Sequence, residues 1–144
     1  MICIEVKELT KQFGPKKVVD GLSFSLPMHT STALIGPNGA GKTTALSMLA
    51  HLMEPTSGKI IMPNIKDMRS AIGFLPQYPQ FYSWLTALEY MEMVASLSNL
   101  DKRTLKSECK KMLSFVGLED AMNKKTVTFS GGMKQRLGIA QALV

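Results

Sequence analysis

The chain is poor in the residues that staple, ligate or span. Two cysteines, two histidines and one tryptophan are all it has of those types among 144 residues. Cys3 and Cys109 stand far apart in no metal-ligand spacing, which argues against a disulfide framework and predicts reduced, packed thiols. His29 and His51 are equally isolated, so each is read as a surface or satisfied core residue rather than a ligand or general base. No stretch approaches the roughly 18 apolar residues of a membrane span. Met1 to Thr10 alternates like a strand and carries Glu5, Lys7 and Glu8, which excludes a secretory signal there. A cytosolic protein is the expectation. Tandem repeats are absent too.

What is present suffices for one core, with 45% of residues hydrophobic. The net charge of +6 is spread over pairs such as Lys16-Lys17, Lys102-Arg103, Lys110-Lys111 and Lys124-Lys125, with no basic stripe interleaved with aromatics. A solvated surface is expected, and no nucleic-acid partner.

The most informative stretch is Gly36-Pro37-Asn38-Gly39-Ala40-Gly41-Lys42-Thr43, which fits G-x-x-x-x-G-K-[ST] at every fixed position. Before it, Ser31 to Ile35 is a mostly apolar run suited to a buried strand; after it, Thr44 to Ala50 suits a helix. Gly36, Gly39 and Gly41 lack a Cβ, so the backbone is free to take positive φ and turn successive N–H groups onto phosphate oxygens. The helix starting near Lys42 adds its unpaired N–H groups and the positive end of its dipole. Lys42 would reach the β- and γ-phosphates, the Thr43 hydroxyl would ligate Mg²⁺, and Thr44 would donate to a further phosphate oxygen.

Around that loop, Ile2 to Lys7 and Val18-Val19 with Leu22 to Leu26 predict an antiparallel strand pair ending at Pro27. Phe13 in the Phe13-Gly14-Pro15 turn either stacks on a purine ring or packs over the hairpin. Ala45, Met48, Leu49 and Leu52 give the next helix an apolar face, stopped by Pro55. Gly58 to Met62 and Ser70 to Leu75 are predicted strands. The stiff, aromatic-rich loop Pro76 to Tyr82 either contacts a partner or packs across a subdomain seam.

From Thr86 the period becomes helical. Leu88, Met91, Val94, Ala95 and Leu97 make one stripe, and Leu105, Cys109, Met112, Leu113 and Val116 another, with Asp101 as N-cap and Gly117 as stop. The methionines are expected to fill the core of these helices. Ser130-Gly131-Gly132 then opens a last helix, with Ser130 as N-cap and Met133, Leu137, Ala140 and Val144 on one face.

With the phosphate loop, a glutamine loop at Gln77, a helical insert, and then Ser130-Gly131-Gly132 before Lys134-Gln135-Arg136, the chain resembles the ATP-binding cassette family over essentially its whole length. The resemblance is nearest to ATPase subunits of bacterial drug or antibiotic exporters. It implies an α/β P-loop NTPase core with an N-terminal antiparallel β-subdomain and an inserted helical subdomain. The segments expected are 1–84 for the nucleotide-binding core, 85–128 for the helical subdomain and 129–144 for the signature motif and its helix.

By the same resemblance, Gly36 to Thr44 hold ATP and Mg²⁺, and Phe13 matches the aromatic that stacks on adenine. Gln77 matches the residue that touches Mg²⁺ and the attacking water and relays nucleotide state. Ser130, Gly131 and Gly132 match the signature that caps the γ-phosphate held by a second ATP-binding subunit. Phe129 and Met133 depart from the commonest Leu and Gln at the flanks of that motif. A transmembrane permease subunit is the implied partner, and the inner face of the cell membrane the implied location. The family continues with an apolar strand ending in Asp-Glu and then a histidine, whereas here Glu119-Asp120 follows a glycine helix stop. The chain is therefore expected to be the first part of a longer polypeptide, its fold incomplete at the C-terminus, that binds nucleotide weakly and turns over almost none. The rival expectations are a soluble cassette ATPase acting on nucleic acid or ribosomes, and a non-catalytic nucleotide-binding remnant.

Overall fold

The computed structural model describes residues 2–63, 65, 71–98 and 100–144. The chain forms two compact units, Met1–Ile72 and Gly73–Val144.

In the first unit, β1 (Ile2–Phe13) and β2 (Lys16–Pro27) make the expected antiparallel hairpin, and β3 (Ser57–Ile61) pairs antiparallel with the other edge of β1. Gly14, at φ 55°, supplies the left-handed residue of the hairpin turn. Strict alternation fails in β1 between Val6 and Leu9, where the register shifts and Glu8 takes φ 50°. That bulge turns Val6 and Leu9 to the same buried face. The Ser23 hydroxyl accepts from the Glu8 amide at 2.8 Å and donates to its carboxylate at 2.9 Å. Opposite, Gly58 sits at φ 91°, and a Cβ there would run into the Glu8 carbonyl. Val6, Leu9 and Val19 pack against Ala45 and Met48 of α1 (Lys42–Leu49), forming the core of this unit.

Helix α1 ends earlier than Pro55 would dictate. His51 takes φ 54°, its amide donates to the Met48 carbonyl at 3.0 Å, and the Leu52 amide donates to Ser47 at 2.9 Å. These are the paired bonds of a left-handed helix stop, made here by a histidine instead of glycine, and they leave Leu52 exposed beyond the helix. Nor is the strand expected at 31–35 formed: those residues are outside any ladder, and Ile35 is 90% exposed. An apolar run becomes a strand only when a neighbour takes its N–H and C=O groups. The expected strand at Ser70 to Leu75 is likewise absent over 71–75, while Ser70 lies outside the described residues.

In the second unit, α2 (Ala87–Ala95), α3 (Leu105–Phe115) and α4 (Gly131–Leu143) enclose a core of Met91, Cys109, Leu113, Leu118, Leu137 and Ala140. Thr86 caps α2 in a reciprocal box: its hydroxyl accepts from the Glu89 amide at 3.2 Å, and the Glu89 carboxylate accepts from the Thr86 amide at 2.8 Å. Helix α2 stops before Leu97, which is exposed. Gly117, at φ 69°, closes α3 as expected, with its amide donating to Ser114 and that of Leu118 to Leu113. Asp101 is not the N-cap of α3; Thr104 holds that place. The Asp101 carboxylate instead accepts from the Arg103 amide at 2.9 Å, tightening the preceding turn, and this bond holds its pKa below the usual range. Burial pushes the Cys109 thiol up, and its side chain is packed in the core as expected.

Candidate functional site

Gly39 and Gly41 both stand at φ 83°, where any side chain is strained, whereas Gly36 lies outside that region, so positive φ is needed at two of the three glycines. Gly41 carries a second constraint, because a Cβ on it would run into the Val18 carbonyl on β2. The Ala40 amide donates to the Pro37 carbonyl at 3.2 Å, folding Pro37-Asn38-Gly39-Ala40 into a turn. Gly41 then serves as N-cap of α1 with no side-chain cap and no acidic residue in the first turn. Lys42, Thr43 and Thr44 therefore present amides that α1 itself does not satisfy. The Lys42 ammonium folds back to donate to the carbonyls of Gly36 and Pro37, each at 2.7 Å, and among the described residues it pairs with no carboxylate. A cation, a dipole end and open amides thus converge on one loop, a composition that suits a polyphosphate.

Beside this loop lies a pocket of about 210 Å³, lined by Val19 and Leu22 of β2 together with Leu34, Ile35, Lys42 and Ala45. Phe13 ends β1, half exposed, with the Lys11 ammonium 5.3 Å from its ring centre. That contact occupies one face of the ring.

The remaining predicted residues belong to the second unit. Ser130 caps α4, its hydroxyl accepting from the Met133 amide at 3.3 Å. Gly131 and Gly132 form the first turn and are exposed, and among the described residues a Cβ on either would meet nothing within 4 Å. They share a cavity of about 660 Å³ with Gln77, alongside Phe81, Thr126 and Gln135. Gln77 and the two glycines are thus brought to one cavity, while Gly36 to Thr44 lie in the other unit.

The flanks of the serine turn face inward: Phe129 is 6% exposed in the core, and Met133 packs against it. The aromatic loop is divided. Phe81 stacks edge-on against Tyr90 at 5.0 Å, whereas Tyr78, Tyr82 and Trp84 are exposed. Sequence reading missed Gln135, Lys134 and Thr126 as cavity residues. The first two follow the serine turn within one helical turn and were findable by spacing; Thr126 carried no signal. Among the described residues, no group of three or more His, Cys, Asp or Glu is placed to hold a metal, and no helix is long and apolar enough to cross a membrane.

A family profile described as ABC transporter matches residues 19–144. The uncharacterized ABC transporter ATP-binding protein YxlF of Bacillus subtilis (strain 168) is 48% identical over 142 residues, covering 98% of this chain and 48% of its own length. The bacitracin transport ATP-binding protein BcrA of Bacillus licheniformis is 39% identical over 147 residues, covering 98% of this chain and 47% of its own. The chain thus spans about half the length of the curated relatives it matches. Among solved structures, cbiO1 from Clostridium perfringens, described as part of the ABC transporter complex cbiONQ, matches with a TM-score of 0.84 at 25% identity, over 99% of this chain and 61% of that one. A structure described as the ATP-binding subunit of an ABC transporter matches at 0.83 and 28%, over 96% and 60%. The fold is that of P-loop ATPases of this kind, in the α/β class expected.

Proposed function

The chain belongs to the ABC transporter family, and from that membership we propose that it is the ATP-binding part of an exporter, gripping the triphosphate of ATP in the Gly36 to Thr44 loop. One observation carries this reading: two left-handed glycines, uncapped helix amides and the Lys42 ammonium converge with no acidic residue in that first turn. Lys42 would exchange its two carbonyl partners for phosphate oxygens, and the amides of α1 would orient the tail. The Thr43 hydroxyl, with Gln77, would hold Mg²⁺, which when bound neutralises phosphate charge. Phe13 is assigned to adenine stacking.

Ser130, Gly131 and Gly132 are assigned to the γ-phosphate held by a second ATP-binding subunit. The open space around both glycines supports this, since nothing among the described residues requires a glycine there. The functional segments are taken as 1–84, 85–128 and 129–144. The partner is taken to be a transmembrane permease at the inner face of the cell membrane. This stretch is assigned binding without rapid turnover, because no Asp-Glu pair follows an apolar strand in it.

Titration with a fluorescent ATP analogue tests the division of labour. Lys42→Ala is expected to weaken binding by the monomer about a hundredfold or more. Ser130→Ala is expected to leave it within about twofold. Equal losses in both variants would overturn the split assignment.

A further inference from the structure

Among the described residues Thr126 is one of two buried polar residues outside the sequence-predicted sites, 1% exposed, and all three of its polar groups are committed. Its hydroxyl donates to the Tyr82 carbonyl at 2.8 Å and its amide to the Leu85 carbonyl at 2.9 Å, both at the far end of the glutamine loop. Its own carbonyl accepts from the Phe129 amide at 3.1 Å, one residue before Ser130. Neighbouring bonds run the same way: Lys125 bridges Thr86, and the Leu88 amide donates to Met122 at 2.9 Å. Phe129 is then locked in the core, so the start of α4 has little freedom relative to Thr126.

We propose that Thr126 is the positioning residue that fixes the Ser130-Gly131-Gly132 turn against the Gln77 to Trp84 loop, so that a displacement of either reaches the other through it. The hydroxyl matters because the Tyr82 carbonyl otherwise accepts only from the nearby Leu85 amide, at 3.1 Å, among the described bonds, so removing it cuts the side-chain tie between the loop end and residue 126. The link itself rests on the bonds; only its use in a nucleotide cycle rests on the function proposed above.

The chain contains its own reporter. Trp84, the sole tryptophan, lies 5.1 Å from the Tyr82 ring, next to the carbonyl that Thr126 holds. Ser130→Ala uncaps α4, and in the 144-residue chain it is expected to lower the fluorescence anisotropy of Trp84. The same drop is expected on a Thr126→Ser background, which keeps the donor, and no further drop on Thr126→Val, which keeps the shape. Thr126→Val alone is expected to speed amide exchange of residues 80–85 about tenfold. A Trp84 signal blind to Ser130→Ala, or one that still responds on the Val background, would overturn the proposal. Should the Val variant not fold, loss of the response on the Ser background overturns it just as well. Binding of the ATP analogue is followed in the same samples: its failure in the unmodified chain sinks the nucleotide reading and leaves the Trp84 cycle standing.

Discussion

The glycine turns that open α1 and α4 look alike in sequence and differ in what their glycines are for. At α1, Gly39 and Gly41 occupy backbone that other residues enter with strain, and Gly41 also lies against Val18, so the chain's own geometry demands them. At α4, Gly131 and Gly132 have ordinary helical backbone and empty surroundings, and Ser130 already supplies the cap. The first turn is therefore a self-imposed shape; the second is a clearance left for something else. The lysine follows the same division, being tied into the first loop, while Lys134 borders the open cavity of the second.

The largest effect expected from this contrast is Gly41→Ala, which combines strained φ with a backbone collision. It should cost about 3 kcal/mol or more of the first unit's stability, read by urea denaturation. A loss below about 1 kcal/mol would break the comparison at its stronger end. Ser130→Ala comes next, at about 1 kcal/mol from the second unit through its lost cap, measured by amide exchange in α4. Gly131→Ala should change stability by no more than about 0.5 kcal/mol in either direction, because no atom of the described residues awaits the new methyl. A large loss there would show an internal demand after all.

Acid sensitivity should divide the units as well. Glu89, capping α2, has its pKa lowered by the bond from the Thr86 amide, then by the Thr86 side chain, whereas α1 has no acid in its first turn. A depressed folded pKa gives stability that is complete above the unfolded value of about 4.3 and is lost as pH falls through the lower folded one. Melting of the second unit should therefore weaken across that acid range, and Glu89→Gln should flatten the dependence. An unchanged slope would remove Glu89 from the account.

Much of this was legible in the chain because local rules were strong enough to act alone. The phosphate loop, the hairpin, the Ser130 cap and the Gly117 stop all follow from short patterns whose geometry the structure repeats. Failures came where a distant partner or an unusual residue decided. Leu34 and Ile35 are apolar enough for a strand but have no ladder to join, and His51 ends α1 in a conformation that sequence rules reserve for glycine. Val6 and Leu9 share a face only through a bulge whose signals, Glu8 and Gly58, are far apart in the chain. Thr126 was invisible for the same reason: its importance lies in carbonyls forty or so residues upstream.

The capped serine also has a polarity. One lone pair of the Ser130 hydroxyl is spent on the Met133 amide, and among the described bonds its proton has no internal acceptor. Whatever enters from outside meets that oxygen chiefly as a giver of hydrogen, reinforced by the electropositive end of α4 behind it. Proton and helix end thus favour the same kind of visitor, one rich in oxygen.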